Sequence, residues 1–292
     1  MNCKACGSDM KLIYETTDIR YTDTPNEEFK ILECIDCGLG ITTPFPENLD
    51  NYYPKEYYDS RLNFLNGNKS SAKKVYDIIE RSLAPDPLLP NPGRLLVIGC
   101  GPGTKLNKYK KEGWDCIGIE PNQSAVEAGL EMFDLTIYNG TLEQVNSEVE
   151  FEPFDAILFD HVFEHIPNPK EVLRISKSLL KKDGRLIIEV PNFGGWGRRL
   201  FNQSWGDLDV PRHIYHYTPR SLRELTESIG FSQKKISFDG SPRLPARWLL
   251  NHLDNSMFEK FPFEILWIAF LPYGVCSKLL GKSRFRQSFI LK

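Results

Sequence analysis

The chain has 292 residues, 41% of them hydrophobic and 26% charged, which is enough apolar content for one large core or for a main domain with a small appendage. A formal net charge of -3 gives no global attraction to phosphate backbones, so a nucleic-acid substrate would need a local basic patch, and none stands out. The sequence shows no secretory leader and no apolar run of roughly 18 residues fit for a spanning helix, so a cytoplasmic protein is expected.

Four of the seven cysteines form two C-x-x-C units, Cys3-Lys4-Ala5-Cys6-Gly7 and Cys34-Ile35-Asp36-Cys37-Gly38. The glycine after each pair lets backbone amides turn toward the thiolates. This spacing predicts a tetrahedral Zn2+ held by Cys3, Cys6, Cys34 and Cys37, structural because all four positions are filled, with iron as the chemical alternative. Residues 1–45 are too polar to build a core of their own, so the metal must supply their stability. An aromatic linker over 46–69 follows, carrying Tyr52, Tyr53, Tyr57 and Tyr58.

The main domain is expected over 70–240. Val75, Ile78, Ile79 and Leu83 recur at helical spacing. From Arg94 onward, short apolar runs alternate with helical segments: Leu95–Ile98, Cys116–Ile119, Ala156–Phe159 and Leu186–Val190. That alternation predicts an α/β fold with a parallel sheet. A helix beginning after Asn168-Pro169 carries Val172, Leu173, Ile175, Leu179 and Leu180 on one stripe, and Asp183-Gly184 is expected to stop it. A strand follows Phe231. Over 241–292 come helical segments, an apolar run around Trp267 that suits either a buried helix or a membrane surface, and a last strand at Ser288–Leu291.

After the first of these strands stands Gly99-Cys100-Gly101-Pro102-Gly103-Thr104. A G-x-G-x-G turn allows close backbone approach to a ligand. The dinucleotide fingerprint would need glycine at position 104, where Thr104 stands, so the pattern favours a smaller adenosyl ligand over NAD. Glu120 closes the second strand, where a carboxylate can accept from two ribose hydroxyls.

From Leu95 to about Phe231 the sequence resembles the Rossmann-like class I S-adenosylmethionine-dependent methyltransferases, particularly those of bacterial sugar and surface-polysaccharide biosynthesis. The resemblance rests on the glycine turn, Gly118-Ile119-Glu120-Pro121, Phe154-Asp155-Ala156-Ile157, Val162-Phe163-Glu164-His165-Ile166-Pro167-Asn168-Pro169, Gly184-Arg185-Leu186 and Val210-Pro211-Arg212-His213. It implies that Gly99, Gly101 and Gly103 line the methionine moiety, that Glu120 binds ribose and that Thr141 and Leu142 border adenine, with Asp160 and His161 also on the donor side. One departure is Val97, where many relatives have an acid facing the donor's amino group.

At the end of the fourth strand, His161, Glu164 and His165 would share one face if a helical turn begins there. The resemblance assigns His165 as general base with Glu164 orienting it; a structural histidine bonded to a backbone carbonyl is the other reading. A catalytic metal held by His161, Glu164, His165 and a later histidine is a further alternative, raised by similarity to small-RNA 2'-O-methyltransferases. Arg212, His213 and Tyr217, with Tyr57 from the linker, are the expected acceptor contacts. The leading reading is methyl transfer to a small-molecule sugar, nucleotide- or lipid-linked, with no nucleic-acid partner and with peripheral membrane contact through the Trp267 segment. The alternatives are an RNA methyltransferase and a non-catalytic, zinc-stabilised binding protein.

Overall fold

The structure is a computed structural model that describes residues 2–21, 23–54, 88–241 and 269–291. The expected helix around Val75–Leu83, Tyr57 and Tyr58, and the apolar run around Trp267 lie outside the described residues.

In chain order the strands are β1 (Met10–Thr16), β2 (Phe29–Cys34), β3 (Gly40–Thr43), β4 (Arg94–Ile98), β5 (Asp115–Glu120), β6 (Thr136–Asn139), β7 (Phe154–Asp160), β8 (Leu180–Val190), β9 (Tyr215–His216), β10 (Phe231–Phe238) and β11 (Phe285–Leu291). The described helices are α1 (Thr104–Lys111), α2 (Gln123–Met132), α3 (Leu142–Glu148), α4 (Pro169–Leu179), α5 (Trp196–Phe201), α6 (Pro219–Glu227) and α7 (Leu271–Leu279).

The chain folds as two compact units. One gathers Met1–Pro85, Pro191–Thr218 and Phe238–Phe285; the other gathers Asp86–Val190, Pro219–Ser237 and Arg286–Lys292. Residues 1–45 share their unit with Pro191–Thr218 and Phe238–Phe285. Phe29, Ile31 and Tyr52 find their core with Phe193, Trp205, Leu208 and Val210, residues far along the chain. A polar N-terminal stretch has too little apolar surface to bury alone and borrows it from there.

The second unit carries a seven-stranded sheet in the order β10-β11-β8-β7-β4-β5-β6. Its central strands run parallel, β4 beside β5 and β7, β5 beside β6, and β7 beside β8. Strands buried on both faces explain the near-continuous aliphatic runs at Leu95–Ile98 and Leu186–Ile188. Leu95, Val97, Leu106, Val126, Ile137, Leu158 and Ile187 belong to one core cluster. The chain leaves β4 through α1 to β5 on one side and later returns on the other side as β7. That reversal of direction is where an open parallel sheet leaves a crevice at its carboxyl ends, and Ile98 pairs there with Phe159.

Local signals set the helix starts. Asn122 caps α2 by accepting from the Ala125 amide at 2.8 Å, and Thr141 with Gln144 forms a capping box on α3. The end of α4 comes earlier than its Asp183-Gly184 stop signal, because Leu180 already pairs with Phe154 and β8 runs on through Gly184.

The first unit holds a four-stranded sheet in the order β1-β2-β3-β9. Gly40 pairs with His216 and Ile41 with Tyr215. A Cβ on Gly40 would strike the Phe193 ring and the His216 Cβ, so only glycine lets β3 come this close.

Candidate functional site

In the second unit the three glycines after β4 divide the work. Gly99, Gly101 and Gly103 all have positive φ, at 63, 56 and 75°, a region that strains other residues. A Cβ on Gly99 would overlap Val162, and one on Gly103 would overlap Leu135, so packing also demands glycine at both. Gly101 has nothing within 4 Å of where its Cβ would stand. It is the open position, where a ligand can lie against bare backbone. Gly118 permits the same turn from below, since a Cβ there would meet Cys100 Sγ at 2.6 Å.

Glu120 is held facing this turn. Its Oε2 accepts from the Gly101 amide at 2.8 Å and its Oε1 from the Asn122 amide at 2.9 Å. Each carboxylate oxygen keeps a second acceptor site, which is what two hydroxyl donors would use. Burial and the nearby Glu120 charge push the Cys100 thiol up to about 12, so it stays neutral. Val97 is buried in the core. Thr141 starts α3 as its capping residue, and Leu142 is buried in the first turn.

At the end of β7 the expected helical face takes a different form. His161 is left-handed, with φ of 55°, and the following turn at Phe163–His165 is a single 3-10 turn closed by the His165 amide on Val162 O at 3.0 Å. His161 and Glu164 still meet, with Nδ1 at 3.5 Å from Oε1.

Sequence reasoning missed the partner on the other side. Glu189 of β8 accepts the His161 amide on its carbonyl at 3.0 Å, and its Oε1 lies 3.5 Å from His161 Nε2. Arg286 of β11 donates to Glu189 Oε2 through Nε at 2.8 Å and also through Nη2. Lys105, on the first turn of α1, pairs with Asp160. Burial alone would raise the Glu189 carboxyl, but the His161 bond and the Arg286 charge outweigh it and hold it well below the usual range. The positive charge that a metal would bring to Glu189 is already supplied by Arg286. A signal was present at Glu189, which interrupts the apolar run Leu186–Val190, and charges in buried strands need partners.

In the first unit Arg212, one of the residues expected to touch an acceptor, is taken up by contacts within the unit. Arg212 has 0% exposure. Its guanidinium donates to both Asp18 carboxylate oxygens at 2.7 and 2.8 Å, to Asp209 at 2.9 Å and to the Tyr52 carbonyl at 2.8 Å. Arg20 adds a second cation at 2.8 Å from Asp209. Burial would raise the Asp209 carboxyl, yet the charges of His213, Arg20 and Arg212 hold it far below its ordinary value. Arg212 therefore clamps the loop instead of presenting a donor outward. His213 is buried with Nδ1 donating to Asp207 O at 2.8 Å, and Tyr217 is buried as well.

The two cysteine pairs of this unit come together. Cys3 Sγ lies 3.5 Å from Cys37 Sγ, and Cys6 Sγ lies 3.4 Å from Cys34 Sγ; all four sulfurs fall within 4.8 Å of one another. A tetrahedral ion with sulfur ligands at about 2.3 Å would space them about 3.8 Å apart. The knuckles match locally. The Gly7 amide bonds Cys3 O at 3.0 Å and the Gly38 amide bonds Cys34 O at 3.2 Å, with φ of 83 and 73° at the two glycines. Burial opposes ionisation of Cys6, but bonds from Ser8 prevail and lower its thiol to about 7.

Comparison with known proteins gives a consistent picture. A family model described as a methyltransferase domain matches residues 68–234. The ubiquinone biosynthesis O-methyltransferase of Glaesserella parasuis is 30% identical over 107 residues, 34% of this chain and 45% of that protein. Its counterpart in Aeromonas salmonicida is 25% identical over 158 residues, 49% of this chain and 65% of that protein. The chain thus spans about half the length of the first curated relatives it matches. Among solved structures, a phosphoethanolamine N-methyltransferase from Haemonchus contortus aligns with a TM-score of 0.52 at 16% identity, covering 96% of this chain and 71% of that one. A SAM-dependent methyltransferase from Archaeoglobus fulgidus aligns with a TM-score of 0.50 at 20% identity, covering 76% and 95%. At these identities the structural likeness speaks for the fold. Among the described residues no helix is long and apolar enough to cross a membrane.

Proposed function

The chain belongs to the S-adenosylmethionine-dependent methyltransferases, the methyltransferase-domain family matched over residues 68–234, and from that premise we propose that it transfers a methyl group to a small-molecule acceptor, a nucleotide- or lipid-linked sugar. The observation that carries the donor half is the open face of Gly101 beside the anchored Glu120 carboxylate. When bound, the sulfonium donor supplies an electrophilic methyl group. The protein's part is to align the acceptor and to take a proton where the nucleophile is a hydroxyl or a carbon acid. His165 is our candidate for that base, on the turn that Glu164 shares. The sugar reading rests on the sequence resemblance; the O-methyltransferase relatives make oxygen nucleophiles the first to screen.

We further propose that Cys3, Cys6, Cys34 and Cys37 hold a structural zinc ion. The sulfur spacing supports this, since four thiolates at near-tetrahedral distances leave no open position for a reactant. Metal analysis of the purified protein separates zinc from iron.

The deciding experiment is calorimetric titration of the zinc-replete protein with S-adenosylmethionine, wild type against Glu120→Ala. We expect binding in the wild type and a loss of roughly 10- to 100-fold in the variant. A wild type that does not bind would overturn the methyltransferase reading and favour a non-catalytic role.

A further inference from the structure

We infer that the four-cysteine centre governs the fold of Pro191–Thr218: metal occupancy orders that segment, while the donor cleft of the other unit folds and binds its ligand without the metal. The functional consequence, that acceptor handling depends on the metal and donor binding does not, rests on the function proposed above. The structural claim stands independently of it.

The segment follows β8 directly in sequence. Within its own unit Asn192 and Trp196 donate to the carbonyls of Ser283 and Lys282 and Arg284 donates to Asp207, while a second and larger set of bonds runs to the N-terminal module. Thr218 Oγ1 donates to the carbonyl of Cys37, itself a knuckle residue, at 2.8 Å. The Cys34 amide bonds Leu39 O at 2.8 Å, so the second knuckle leads straight into β3. That strand then pairs with β9 through Gly40 and Ile41. Beyond the ladder, Thr42 takes the Ile214 carbonyl through its amide at 2.9 Å and the His213 carbonyl through its hydroxyl at 2.7 Å. Arg198 reaches Glu33 of β2 at 3.0 Å. The core follows the same wiring, with Phe193, Trp205, Leu208 and Val210 packed on Phe29 and Ile31.

Among the described residues, Leu39 beside the second knuckle is buried, but the module offers little other apolar surface there. Leu12, Ile19 and Ile35 are exposed, and beyond the β1–β2 ladder and the Ile35 amide on Asp9 O at 3.1 Å, what draws the two knuckles together is the sulfur cluster. Without an ion the four sulfurs have no cohesive bond among them, and small domains of this kind fold on metal binding. Releasing the second knuckle frees the start of β3, and with it the only strand that β9 pairs with among the described residues. The cleft unit lacks such a dependence, since its sheet is built on its own aliphatic core.

Hydrogen exchange of the full chain, followed by mass spectrometry on zinc-replete protein and after removal of zinc by a competing chelator, tests this directly, alongside calorimetry with S-adenosylmethionine. We expect peptides within residues 193–217 to exchange at least about tenfold faster without zinc, and peptides over 94–120 to keep their protection. Donor affinity should change by less than about twofold. Cys6→Ser provides a milder loss of metal, and Thr218→Val cuts one link with zinc retained; both should loosen 193–217 before 94–120. Unchanged protection of 193–217 after verified zinc loss would overturn the inference. So would a joint collapse of 193–217, 94–120 and donor binding, which would mean one cooperative fold. Absent donor binding in zinc-replete protein would instead count against the proposed function alone.

Discussion

Each unit buries an arginine between carboxylates, and the two clusters differ in one respect. Around Arg286, the carboxyl groups of Glu189 and Glu164 converge on His161, whose side chain keeps 27% of its exposure. Around Arg212, Asp18, Asp209 and the Tyr52 carbonyl consume the guanidinium with no surface left open. Both would look alike as lists of ionisable residues. Exposure of one titratable member separates a cluster that can meet a ligand from one that only holds loops together, and residues of the first kind are the better site candidates.

The largest effect expected from this contrast is on stability. Arg212→Ala strands two buried carboxylates and should cost about 3–5 kcal/mol, read by denaturant unfolding, while S-adenosylmethionine binding persists. A loss below about 1 kcal/mol would show that the clamp is not what holds this unit.

Next comes the cleft. Gly101→Ala forces a side chain into left-handed backbone and into the open face of the turn, so donor affinity should fall by roughly tenfold or more, while the backbone strain costs about 1–2 kcal/mol of stability. Equal affinity in the variant would show that the ligand does not lie against Gly101.

Acid then acts on both clusters. Glu189 and Asp209 are each held below the ordinary carboxyl range. Stability from such depressed groups is fully present above the unfolded value, near pH 4, and is lost as pH falls through the folded one. Thermal midpoints should therefore be flat with respect to these groups from pH 6 to about 5 and decline below about 4. Arg286→Met should weaken the acid response tied to Glu189 and leave that of Asp209. The smallest effect is a control within the cleft unit: Thr141→Ala removes half of a capping box and should cost about 1 kcal/mol.

The glycine turn, the parallel strands, the place of Glu120 at the end of β5 and the meeting of the cysteine pairs were legible in the sequence because each is set by spacing over a few residues. The clusters were not, because their partners are remote. Arg212 meets Asp18 at a separation of 194 residues, and Arg286 meets Glu189 at 97. Val210-Pro211-Arg212-His213 has the composition of an exposed recognition loop, and nothing local says that an acid near the N-terminus will seal it. The same holds for β9, a two-residue strand whose pairing is decided by Gly40. The early end of α4 escaped notice for a related reason: a sheet register competed with a turn signal and won.

The threading of the first unit from separate stretches of chain bears on how such a protein can be dissected and how it can change over time. Residues 1–54 are not an accessory that can be trimmed to yield a minimal enzyme, because the cut would leave β9 without its neighbour and Arg212 without Asp18. The same interlock ties their histories together. Across relatives, Asp18 and Arg212 should be gained and lost as a pair, and a bulkier residue at position 40 should come with a smaller one at 193.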